Sequence, residues 1–350
     1  MKIEKFIYGN LPDGRAVPAY TITAQNGAYV ELIAYGATLN KIVVPDKNGV
    51  LEDVLVGFDT MEGQLLNTES NGRTVGRVAN RIAGNGIVID GKTYPITKNI
   101  DGKFTLHSNH EFATALWDSE IVGDNAVKFS YDSKDGNEGF PGNLHTEVTM
   151  SFDEDCNVTL QYAATTDAPT AVNLTNHAYF NLEGFSAGEI VDHEVQLLCD
   201  AMTPTNSDCI PTGEIRPVDG TPFDFRTPKT IKQDVDADDE QLKLGIGYDH
   251  NFQIENYDGT LRKFAVVKAP KTGRVMTAYT TLPGVQFYIG NWMGKHQIGK
   301  AGKEILYRQG FCLETQYFPD AMNHKEFIPC LFTPKKPYTS TTVYAFSTKA

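Results

Sequence analysis

Along most of this chain, hydrophobic and polar positions alternate in short runs, the pattern of strands with one buried face. Residues 19–24, 29–34, 38–44 and 53–58 read this way, separated by turn chemistry at Asn26-Gly27 and at Pro45-Asp-Lys-Asn-Gly49. A brief helical turn is expected around residues 61–66. Ile87-Val-Ile-Asp-Gly-Lys-Thr-Tyr94 carries the Asp-Gly pair that closes a two-residue hairpin. Strands resume at 116–122, 126–131, 145–152, 157–163, 265–269, 274–280 and 338–347. The segment 200–240 is rich in Pro, Asp, Thr and Gly, yet hydrophobic residues recur in it, so it reads as an ordered excursion. With no internal repeat and no long amphipathic helix, the pattern predicts antiparallel sheet throughout.

Two stretches interrupt this pattern with candidate chemistry. Asn173-Leu-Thr-Asn-His-Ala-Tyr-Phe-Asn-Leu-Glu-Gly184 sets His177 among asparagines, a threonine and a tyrosine, neighbours expected to hydrogen-bond the imidazole on both sides. Imidazole changes charge closest to neutral pH, which makes His177 a candidate acid or base; a histidine satisfying buried backbone is the alternative. In Gly310-Phe-Cys-Leu-Glu-Thr-Gln-Tyr-Phe-Pro-Asp320, a period of two puts Phe311, Leu313, Thr315 and Tyr317 on one face and Cys312, Glu314 and Gln316 on the other. A carboxylate amid Phe, Leu and Tyr is costly to bury unless it is paired or used.

Weaker signals surround these two. Gly76-Arg-Val-Ala-Asn-Arg-Ile-Ala-Gly-Asn-Gly86 reads as a loop that could bring Asn80 and Arg81 to a cleft, or leave Arg81 at the surface. His107 and His110 lie three apart without a third ligand nearby, so metal binding has little support. Asp249 and His250 open a strand. Gln286 and Tyr288 share the polar face of Gly284-Val-Gln-Phe-Tyr-Ile-Gly-Asn-Trp292.

Composition narrows the function classes. With 41% hydrophobic and 21% charged residues, the chain has the balance of an ordinary globular protein. Its net charge of −13 and lack of a basic run argue against nucleic acid or an anionic membrane as partner and favour an uncharged small molecule. Five cysteines without C-x-x-C spacing point to reduced core thiols, neither a disulfide framework nor a zinc site. The start lacks an apolar signal core and no run approaches the length of a membrane span, so a cytoplasmic setting is expected.

Laid out in order, Gly76-Arg-Val-Ala-Asn-Arg-Ile82, Leu106-His107, Gly139-Phe-Pro-Gly142, Asn173-Leu-Thr-Asn-His-Ala-Tyr-Phe-Asn-Leu182, Tyr248-Asp-His250, Gly284-Val-Gln-Phe-Tyr288 and Leu313-Glu-Thr-Gln-Tyr-Phe-Pro-Asp320 resemble the aldose 1-epimerase (galactose mutarotase) family. The resemblance implies an all-β fold, one large antiparallel β-sandwich domain over residues 1–350 of the galactose mutarotase-like supersandwich kind. It implies a sugar substrate held in an open cleft, with no metal or organic cofactor. By the same resemblance Glu314 is the base and His177 the acid, placed on opposite sides of a free hexose, while Asn80, Arg81, His107, Asp249 and Gln286 hold hydroxyls and ring.

The chain departs from the family's Leu-His-Gly-Gly by placing Ser108-Asn-His110 after His107, which bears on the loop and on sugar preference. It also carries Tyr317 where the family often has a second histidine. Competing readings are a hexose-6-phosphate epimerase, which would need a cationic cluster beyond Arg81; a glycosidase using Asp249 and Glu314; and a non-catalytic sugar-binding protein, which would have lost the acid or base.

Overall fold

The computed structural model describes residues 1–84 and 86–348; Asn85, at the end of the glycine-punctuated segment read as a loop, lies outside the described residues, as do Lys349 and Ala350. Three antiparallel sheets dominate. The N-terminal one is a five-stranded meander, Lys2–Asn10, Ala16–Thr23, Tyr29–Ile33, Thr38–Pro45 and Leu51–Asp53 in sequence order. A nine-stranded sheet runs from Asp118–Val122 through Ala126–Ser133, Leu144–Phe152 and Asn157–Thr166 to the C-terminal strand Tyr338–Ser347. It continues through Val275–Thr280, Arg262–Lys268, Glu194–Leu197 and Lys229–Thr230. The C-terminal strand therefore sits in mid-sheet, hydrogen-bonded to strands far away in sequence on both sides.

The third sheet, also five-stranded, carries the site: Arg216–Pro217, Cys199–Met202, Asp249–Ile254, Gly284–Tyr288 and Cys312–Gln316, in that order. Its apolar face lies on the nine-stranded sheet. Thr315 Oγ1 and Thr342 Oγ1 share a 2.6 Å hydrogen bond, and Tyr344 donates its hydroxyl to Leu313 O at 3.0 Å. Between the layers Phe252, Phe287, Leu313, Phe311 and Tyr344 are fully buried. Truncating one such phenylalanine to alanine costs about 3–5 kcal/mol, so this contact fixes the height at which the polar face is presented.

The alternation that predicted strands is borne out closely at 157–163 and 338–347, where buried and partly exposed positions alternate residue by residue. The hairpin around Asp90-Gly91 and the helical turn, here Met61–Leu65 capped by the Thr60 hydroxyl, are also present. Residues 53–58 differ from expectation, because the run is split between two sheets: Leu51–Asp53 pairs with the preceding strand, while Leu55–Val56 pairs with Tyr179–Phe180. The cause is Asp53, whose buried carboxylate accepts the Ile42 and Leu55 amides and meets Lys300 Nζ at 2.7 Å, turning the chain at Val54. The excursion 200–240 is ordered, with short strands and a 3-10 turn at Ile231–Gln233. Among the described residues no helix is long and apolar enough to cross a membrane.

Candidate active site

The polar face of the third sheet is made by register. Antiparallel pairing sets Gln286 opposite both Glu314 and Asn251, and Tyr288 opposite both Cys312 and Asp249. Opposite residues share a face, so Asp249, Asn251, Gln286, Tyr288, Cys312, Glu314 and Gln316 all point away from the apolar layer. They are cross-linked: Gln316 Nε2 donates to Asn251 Oδ1 (3.2 Å) and Gln286 Oε1 (3.3 Å), and Gln286 Nε2 donates to Asp249 Oδ1 (2.7 Å). Both ends of the Gln286 amide are thus engaged, and Gln286 does not line the cavity. It sits behind Asp249 and holds that carboxylate in place.

His177 arrives from outside this sheet. It lies between two short strand pairings, Thr175–Asn176 with Thr74–Val75 and Tyr179–Phe180 with Leu55–Val56, and its own backbone bonds Arg73 O and the Gly72 amide. The asparagines expected to flank its ring do something else. Asn173 makes a two-way clamp on the Tyr317 backbone (2.8 and 3.1 Å), Asn176 Nδ2 reaches Gly72 O, and Asn181 Nδ2 bonds Gly188 O and Gln309 O. None of these bonds goes to the imidazole. The ring instead stacks on Tyr179 at 4.9 Å, with Nδ1 3.5 Å from Cys312 Sγ and Nε2 3.7 Å from Glu314 Oε2. Cys312 is therefore more than a core filler.

The acid and base were expected on opposite sides of a sugar. A pyranose cannot sit between atoms 3.7 Å apart, so the two groups converge on one point of the cavity instead. The cavity before them is about 220 Å³, below the roughly 300–1,000 Å³ typical for drug-sized ligands. Arg81, Asn80, His107 and Asp249 line it as expected; Glu69, His110, Tyr179, Tyr288 and Trp292 also do. Tyr288 was legible from its place on the Gln286 face and Tyr179 from its spacing to His177. Glu69 and Trp292 lie in irregular segments without a periodic signal.

The third wall is a loop in unusual geometry. His107, Ser108, Asn109 and His110 all have positive φ, from 48° to 59°, forming one left-handed turn that brings both histidines to the cavity. Left-handed backbone costs roughly 1–2 kcal/mol per residue with a Cβ, which explains why glycine suits positions after the first histidine. Ser108 offsets the cost with hydroxyl bonds to Val78 N and Val78 O (both 2.9 Å), Asn109 with one to Glu138, and His110 through Ser70 Oγ at 3.2 Å.

His107 Nδ1 accepts the Asn80 amide at 3.1 Å, so the neutral ring carries its proton on Nε2. That bears on metal binding, since ligand atoms of His107, His177 and Glu314 lie within 4.8 Å of one another. A metal-bound imidazole donates its second N–H to an acceptor, whereas His107 faces a donor. The trio suits a hydroxyl-bearing ligand better than a cation.

The sequence matches the family model described as aldose 1-epimerase over residues 18–345. The chain belongs to this family. The galactose mutarotase of Rattus norvegicus is 38% identical, with 99% of each chain covered. The aldose 1-epimerase of Escherichia coli K12 is 34% identical, with 96% of each covered. Among solved structures, an aldose epimerase homologue from C. elegans superposes with a TM-score of 0.85 at 29% identity, covering 93% of this chain and 98% of that one. The all-β class and antiparallel sheets agree with this membership.

Electrostatics treat the two facing groups, Glu314 and His177, unequally. Burial, then the negative charge of Asp249, pushes the Glu314 carboxyl up to about 8, with Arg81 pulling the other way. Burial drives His177 down to about 4, opposed by Asp249. His107 is held neutral by burial and by its histidine neighbours. Between those two values the pair holds one proton, resting on Glu314. Among the described residues Glu314 Oε2 is buried without a hydrogen-bond partner, a costly state for a carboxyl oxygen that a ligand hydroxyl would relieve.

Proposed function

We propose that this protein is an aldose 1-epimerase that interconverts the α and β anomers of free hexoses such as glucose and galactose by ring opening and reclosure. The observation that carries the reading is the convergence of Glu314 Oε2 and His177 Nε2 at 3.7 Å in one cavity. Anomer exchange needs a proton taken from the anomeric hydroxyl and one given to the ring oxygen, and both oxygens are bonded to the same carbon. A convergent pair fits that demand.

In the working form the shared proton sits on His177 and Glu314 is the carboxylate; this differs from the resting form only by one proton transfer. Glu314 removes the hydroxyl proton as His177 protonates the ring oxygen. The C–O bond breaks, the aldehyde rotates about C1–C2, and the steps run in reverse to give the other anomer. Each group supplies roughly 10²–10⁴-fold. Arg81 presents its guanidinium, His107 its Nε2–H and Asn80 its side-chain Nδ2–H to hydroxyls, while Asp249 accepts from them, held by Gln286 and by Arg81 Nη2 at 3.9 Å.

Among the described lining residues Arg81 is the single permanent cation, and it shares the cavity with the carboxylates of Asp249 and Glu69, an arrangement that disfavours a hexose phosphate. A purely sugar-binding role has no use for an unpartnered Glu314 oxygen beside a low-pKa histidine. We include in this reading a single working unit over the whole chain and a reducing, cytoplasmic setting, supported by five free thiols. Polarimetry on freshly dissolved α-galactose tests the activity. The wild type should accelerate the change in rotation and Glu314→Gln should not; equal rates for the two would overturn the proposal.

A further inference from the structure

The segment that carries Glu314 does not end its role at the strand. Six residues on, Asp320 lies in the left-handed region (φ 59°) with its carboxylate almost fully buried. Its amide donates to Arg81 O at 3.1 Å, and its Oδ1 accepts the Ala83 amide at 3.1 Å, so one residue grips the backbone on both sides of Ile82. Asn323 Nδ2 reinforces the grip, donating to Asp320 Oδ1 (2.6 Å) and to Ala83 O (3.4 Å). His324 Nε2 stands 3.3 Å from Asp320 Oδ2, and its ring is seated against Phe327 and over Gly213, where a Cβ would come within 2.7 Å of Nδ1. On the other edge, Arg81–Ile82 pairs with Thr105–Leu106, which leads into the His107 turn.

We propose that Asp320 is a positioning residue that fixes the Arg81 guanidinium against the sugar, tying it through one short peptide to the strand that bears Glu314. Among the described residues, Arg81 is held on its side-chain end only by the 3.9 Å approach to Asp249, and its Nε has no partner. Its aim is therefore set by its backbone, which Asp320 grips on one edge and the Thr105–Leu106 pairing holds on the other. This inference rests on the epimerase reading above. A general anchoring role for Asp320 would lower stability without depending on Arg81; a positioning role must disappear when the guanidinium is gone.

The test is to measure kcat, KM and, by calorimetric titration, galactose affinity for Asp320→Ala and Asp320→Asn in the wild-type and Arg81→Ala backgrounds. Small displacements of a positioning group cost up to about 10²-fold, so Asp320→Ala should lose roughly tenfold to a hundredfold in kcat/KM, mainly through KM, with matching loss of affinity. Asp320→Asn keeps an oxygen for the Ala83 amide and should stay within about threefold of wild type. In the Arg81→Ala background Asp320→Ala should add less than about twofold, the non-additivity of coupled residues. Equal losses in both backgrounds, or a loss confined to kcat, would overturn the proposal. If Asp320→Ala fails to fold, Asn323→Ala, which removes only the reinforcing bonds, replaces it and should show the same dependence on Arg81. A wild type that does not speed mutarotation would defeat the epimerase reading, while the galactose titration would still decide the clamp.

Discussion

Glu314 and His177 reach one cavity from opposite kinds of backbone. Glu314 stands in the middle of a regular strand, its direction fixed by alternation, register with Gln286 and the apolar layer beneath. His177 stands between two short pairings, held by asparagines that clamp the chain around it and by a tyrosine stacked on its ring. The strand supplies rigidity from packing that many residues share. The irregular segment obtains it from a few buried polar bonds, each of which matters more when removed.

The sharpest way to break the comparison is to remove the chemistry from each side. Glu314→Gln and His177→Asn should each lower kcat by about 10²–10⁴-fold with little change in thermal midpoint, and the double variant should be scarcely worse than either single one, since the two act on one step. Polarimetric kcat values for the three variants check this; additive losses would mean the groups act independently.

A smaller effect is expected from the wall proposed to hold the sugar. Arg81→Ala should cost roughly 10–100-fold in kcat/KM, as loss of charged hydrogen bonds worth about 1.5–3 kcal/mol implies, seen mostly in KM.

The supports should then separate the two regions. Asn173→Ala leaves the Tyr317 amide and carbonyl unpaired and should destabilise the fold by about 1–3 kcal/mol, read in urea denaturation. On the strand side, Gln286→Ala should change stability less and act through Asp249, raising KM. The smallest change concerns the left-handed turn: Asn109→Gly should raise stability by less than about 1 kcal/mol, because glycine adopts φ 55° freely and the lost bond to Glu138 is only part-buried.

This contrast also explains what could be read from the residues alone. The strands and the polar face bearing Glu314 and Gln286 were legible because a period of two is a direct imprint of one-sided burial. The split at Asp53 was not, since a strand-like run conceals a buried carboxylate whose partner, Lys300, is 247 residues away. His177 was found, but for a reason the structure replaces: its polar neighbours serve the backbone. The convergence with Glu314, the left-handed turn behind His107 and His110, and the rim residues Glu69 and Trp292 depend on long-range closure, which carries no local periodicity.

The claim that Glu314 and His177 share one working proton is tested most directly by kcat/KM for galactose across pH, corrected for the spontaneous reaction. Below about 4 both groups are protonated and no base remains; above about 8 both are deprotonated and no acid remains. The account predicts a bell with limbs near those values. A rate that stays level through either limb would contradict it.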